Sequence, residues 1–139
     1  MKHSGGLNLS VQKTDRAWET GCHLSPLALL IGIPIANILA PLIIWFIRKN
    51  NSPSTDQHGR AILNFQIAMT LYFAGMLLLK IVLAKLATKV AFCGLLILPL
   101  DICIRAWAYL NIFFILRAAY HSAQGKLYQY PFSIRFFPQ

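Results

Sequence analysis

The chain has 139 residues, of which 57% are hydrophobic and 12% charged, with a formal net charge of +9. Soluble domains are usually about 25% charged, so the composition excludes an ordinary water-soluble fold and fits one membrane domain at most. The Lys and Arg residues lie between apolar runs and form no dense stripe, which argues against nucleic-acid binding and assigns them to headgroup contacts and topology.

Residues 1–13 are Gly-, Ser- and Asn-containing and are expected to form a flexible N-tail, leaving 14–139 as a single membrane domain. Thr14 to Glu19 reads as a short interfacial helix with Thr14 as N-cap, and Trp18 belongs at the headgroup level. The 23 residues of mixed charge ahead of the first apolar run do not look like a signal peptide. Span one, about 24–47, contains no charged residue. Some 20 apolar residues suffice to cross a bilayer. Pro26, Gly32, Pro34, Asn37 and Pro41 predict a kink or break near Gly32–Asn37, and Trp45, Arg48 and Lys49 mark the far interface.

The polar loop 48–60 follows, where Ser54-x-x-Gln57 fits a capping box that starts the next helix early. Span two is about 61–79. Lys80, Lys85 and Lys89 then fall in a segment that reads equally as a helix extension or a surface stretch. Span three, about 90–116, carries Pro99, Asp101 and Arg105 near its middle. From Leu127 to Phe137, Tyr128, Tyr130, Phe132, Ile134 and Phe136 alternate with mostly polar partners. This predicts an extended aromatic tail in the interface, with Arg135 as an anchor. With three spans, the positive-inside count is six against six, so the sequence does not orient itself.

Several residues invite a functional reading. Asp101 and Arg105 are spaced i,i+4 and are expected to pair. Charges at bilayer depth cost at least about 2.5–3.5 kcal/mol and so usually face protein or water. Asn37, between two prolines, is either a polar element at a broken helix or a cover for freed carbonyls. His58, Gly59, Arg60 and Asn64 form a polar cluster at the mouth of span two. Three spans would bring it to Tyr128 and Tyr130 as a structural clasp or a ligand site. Asn64 and Gln66 differ by about 200° around a helix and cannot share one cluster. Cys22, Cys93 and Cys103 form no CxxC pair and no disulfide framework. Cys22-His23 has no second pair to make a metal site. No paired-carboxylate arrangement, phosphate-cradling loop or HExxH occurs, so no enzyme activity, metal or cofactor is expected.

Trp18, Cys22-His23-Leu24-Ser25, the stretch Ile33–Trp45, Asp56-Gln57-His58-Gly59-Arg60, Leu63-Asn64-Phe65-Gln66, Tyr128-Gln129-Tyr130-Pro131 and Ile134-Arg135-Phe136 together resemble the domain of unknown function 4870 family. These are small bacterial multi-span membrane proteins, distantly likened to the Tic subunit of the chloroplast inner-envelope import machinery. Here Ala61 stands where that pattern has an acid, and Gln129 where it has a basic residue between the tyrosines. The resemblance implies an all-α multi-pass protein of the bacterial inner membrane and brings no established activity.

The sequence therefore predicts an all-α integral membrane protein with three transmembrane helices, the first Pro-kinked. Its partners would be the lipid bilayer and either another membrane protein or further copies of itself. A non-catalytic accessory or assembly subunit of a larger complex is the first reading. A translocation or channel-like component, with a polar path near Asn37, Asp101 and Arg105, is the alternative.

Overall fold

The computed structural model describes residues 4–31, 35–50 and 52–138 and is all-helical, with no strand among them. Helix α1 runs Ser4–Leu24, so residues 4–13 belong to a helix and not to a loose tail, and Thr14 lies inside the helix and not at its cap. Glu19, Cys22 and His23 of this helix are buried. Their i, i+3, i+4 spacing gives the helix one inward face. It stops before Ser25-Pro26, where a proline disfavours helical backbone in the preceding residue. The Ser25 hydroxyl donates to the Cys22 carbonyl at 2.8 Å and covers one of the last free carbonyls.

A 3-10 helix, Ser25–Ile31, and helix α2, Ala36–Arg48, replace the single first span. Gly32 and Pro34, part of the expected break, lie outside the described residues. Ile35 enters α2 from the left-handed region at φ 65°. The 13 residues of α2 cover about 20 Å, less than a bilayer core of roughly 30 Å.

Moreover, α2 leads back to where α1 began its packing. The Arg48 guanidinium lies 4.0 Å over the Trp18 ring. The Trp45 indole N–H donates to Asp56 Oδ1 at 2.7 Å. The expected far-interface anchors Trp45 and Arg48 thus sit at the same end of the molecule as Trp18, and the third spanning helix is not confirmed.

Helix α3, Pro53–Ala87, begins before the apolar run as expected, with Pro53 in its first turn. The preceding Ser52, not Ser54, holds the cap position, and no side-chain cap bond forms. The lysine segment extends α3 as far as Ala87. After a turn at Thr88–Val90, the short α4, Ala91–Leu95, leads into α5, Ile97–Ala123. Pro99 falls in the first turn of α5, where a missing N–H costs no intrahelical bond. It therefore marks a helix start, not a kink in mid-span. Two helical runs, α3 and Ala91–Ala123, are long and apolar enough to cross a membrane. They run antiparallel: Phe65 meets Phe114, Gln66 meets Asn111, Trp107 meets Met69 and Lys80 meets Asp101.

The core is confined to one end. Ile62, Leu63, Phe65, Ala68 and Met69 of α3 are buried with Cys22, Ile115, Ala118 and Tyr130. At the end of α5, Gly125 takes φ 74°. Its N–H reaches the Ser122 carbonyl and that of Lys126 the His121 carbonyl, a left-handed stop that releases the tail.

Candidate functional site: a polar clasp

The tail returns across the core and closes a buried polar row. Tyr130 stacks on Phe65 with ring centroids 4.1 Å apart, which sets its hydroxyl 2.9 Å from His23 Nδ1. His23 Nε2 lies 2.8 Å from His58 Nδ1, and His58 Nε2 lies 3.6 Å from a Glu19 carboxylate oxygen. All four side chains are buried. One proton arrangement satisfies the row. His58 keeps its proton on Nε2, toward the Glu19 carboxylate, and its Nδ1 accepts from His23 Nε2–H. His23 Nδ1 then accepts from the Tyr130 hydroxyl.

Burial decides the charge state. Loss of solvent, with His58 close by adding to it, pulls the His23 pKa down to about 3. Burial likewise raises the Tyr130 phenol well above its usual range, so it stays a hydroxyl. The Cys22 thiol is pushed up to about 12 by desolvation. It lies 3.8 Å from the Pro41 carbonyl as a weak donor, and a thiol of this kind offers no nucleophile at neutral pH.

A second set of contacts ties down the chain end. Asn64 accepts from the Phe136 and Phe137 amides at 2.9 and 2.8 Å and donates to the Phe137 carbonyl at 2.8 Å. Arg60 donates to the Pro138 carbonyl at 3.0 Å while its Nε holds Asp56 at 3.0 Å. The Trp45 ring lies between Gly59 and Phe137. A Cβ at Gly59 would fall within van der Waals contact of the indole, so only glycine lets α2 and α3 approach this closely. Tyr128 packs edge-on against Tyr130. Of the cluster His58, Gly59, Arg60 and Asn64, His58 reaches Tyr130 through His23, Arg60 and Asn64 hold the chain end, and Gly59 packs on Trp45.

The remaining candidates fall elsewhere. Asn37 donates to Thr70 Oγ1 at 2.9 Å and to Gln66 Oε1 at 3.4 Å, and Gln66 passes the chain on to Asn111. A cavity of about 290 Å³ opens beside Asn37, Thr70, Trp107 and Asn111. Asn64 faces the tail and Gln66 faces Asn37, opposite sides of α3 as their spacing requires. Asp101 takes Lys80 at 2.6 Å instead of Arg105, which is exposed. Asp101 lies near the start of α5, beside the end of α3, where a long lysine stem reaches it. Lys49 lies over Trp45 and Phe46, and Arg135 is exposed in the tail.

Sequence reasoning missed Glu19 and His23 as clasp residues. Their spacing with Cys22 was the available signal, hidden by ending the first helix at Glu19. Among the described residues, no group of three His, Cys, Asp or Glu could hold a metal ion.

A family model described as the magnetosome magnetite crystal formation protein family matches residues 14–137. No curated protein and no solved structure matches the chain. The family match overturns the resemblance to the domain of unknown function 4870 and to the chloroplast import subunit. The matched stretch takes in the whole clasp, from before Glu19 to Phe137, and the chain belongs to the magnetosome magnetite crystal formation protein family.

Proposed function

We propose that the chain is a non-catalytic accessory component of magnetite crystal formation, seated in the magnetosome membrane and acting through lipid and neighbouring membrane proteins. The observation that carries this reading is how its surfaces are divided. The clasp residues are engaged with one another, while the most apolar stretches of α3 and Ala91–Ala123 are only 11% and 0% buried. Reactive chemistry needs an activated group. Here His23 is held neutral and the Cys22 thiol is silent. Broad apolar helix faces are what lipid or a packed partner helix covers.

The conduit reading draws no support from the geometry. Asn37 meets Thr70, whereas Asp101 meets Lys80, ten residues further along α3. Each of these polar groups is engaged with a partner inside the chain.

The test is complementation in a magnetosome-forming bacterium lacking this chain. Electron microscopy should show crystals restored by the wild type and by Cys22→Ala, which removes the one thiol beside the histidines. Loss of crystal formation with a folded, membrane-inserted Cys22→Ala protein would overturn the non-catalytic reading.

A further inference from the structure

We infer that residues 24–48 form a re-entrant hairpin, so that the chain crosses the membrane twice, with α1, the α2–α3 loop and the tail all on the cytoplasmic face. The first ground is where the segment begins and ends. Its start is tied to the clasp by His23 against His58 and its end by Trp45 against Asp56. Arg48 closes over Trp18. The segment leaves one end of the molecule and returns to it.

The second ground is depth. Near the turn, Asn37 bonds Thr70, which lies 17 residues past Pro53 and so about 26 Å along α3. Thr70 is the midpoint of the apolar stretch 61–79. The start of α2 therefore lies at mid-bilayer, with Asn37 hydrogen-bonded to α3 at that level, and Ser25–Ile31 packs against α2 on the same side of it. Among the described residues, only the two long apolar helices continue beyond that level.

The third ground is charge. Two crossings change the side on which the N-terminal segment lies, and the tie in basic residues disappears. On the clasp end sit Lys13 and Arg16 of α1, Arg48 and Lys49 after α2, and Arg60 early in α3. Arg117, Lys126 and Arg135 join them from the end of α5 and the tail. Among the described residues, Lys80, Lys85, Lys89 and Arg105 lie toward the other end. An eight-to-four excess of Lys and Arg faces the cytoplasm by the positive-inside rule, where acidic phospholipid headgroups attract it.

The one surface across the membrane is then the α3–α4 corner, residues 85–96, which carries Lys85 and Lys89 and no carboxylate.

Single cysteines test the topology in a Cys93→Ala, Cys103→Ala background, with the buried Cys22 retained. Val11→Cys, Ser54→Cys, Thr88→Cys and Gln124→Cys all lie at exposed positions. A membrane-impermeant maleimide should label the cysteines at 11, 54 and 124 in inverted vesicles and not in intact cells. Labelling at 88 should show the opposite pattern. Position 11 reacting from the face opposite 54 is what three crossings require and would overturn the hairpin. All four patterns reversed would overturn the orientation. Protease cleavage of an N-terminal epitope tag only in inverted vesicles gives the same reading with no substitution in the chain. Neither result depends on magnetite, so the topology and the proposed function can fail separately.

Discussion

Helix α3 lies in two solvents. From Ala61 to Met69 every residue but Ile67 is buried against α1, α2, α5 or the tail; from Leu71 to Leu79 every residue but Met76 is exposed. Both stretches are strongly apolar. Hydrophobicity therefore does not separate the half that packs on protein from the half that stays exposed. The polar residues do. Asn64 and Gln66 sit in the buried half, each with partners supplied by distant parts of the chain. An amide is tolerated at that depth because its hydrogen bonds are already made.

The contrast breaks most readily in the buried half. Replacing Asn64 by Leu removes three hydrogen bonds and strands two tail amides, a loss of roughly 3 kcal/mol at about 1 kcal/mol per bond. The expected outcome in mild detergent is a lower unfolding temperature and rapid proteolysis after Gly125. A tail as protected as in the wild type would refute the clasp.

The second prediction concerns pH. His23 titrates near 3 in the folded protein, against about 6.5 for a free imidazole. As pH falls, the unfolded chain takes up this proton first. Its contribution to stability is thus full above about 6.5 and drains away toward 3, by about 1 kcal/mol per pH unit. Thermal unfolding of the wild type between pH 7 and 5 should fall more steeply than that of His23→Gln. Parallel profiles would show that the imidazole is not held neutral.

The smallest effect is expected beside the exposed half. The Lys80–Asp101 pair is about a third exposed on both sides, so a double-mutant cycle should give a coupling below about 1 kcal/mol. Arg105→Ala should leave that coupling unchanged. A large coupling between Asp101 and Arg105 instead would restore the i,i+4 pairing that the sequence alone suggests.

Much of this contrast was legible beforehand. The spacing of Asn64 and Gln66 already puts them on different faces, whereas the link from His58 to Tyr130 runs through His23, which the sequence alone does not single out. The direction of residues 24–48 was not. A charge-free stretch with several prolines has the length to span and the breaks to turn back. Contacts from Trp18, Asp56 and Thr70 decide between these, and such contacts are tertiary. The same limit applied to Asp101. Its neighbour on the helix was readable, but Lys80 comes close only through the antiparallel register of α3 and α5. Ser4 to Lys13 was misread for a different reason, because its glycines outweighed a helix that continues to the buried face of Glu19, Cys22 and His23.

The row from Tyr130 to His23 joins positions 107 apart in the chain. Until Tyr130 has folded back onto Phe65, His23 has no hydroxyl to accept from, so the row closes only once α1, α3 and the tail are all assembled.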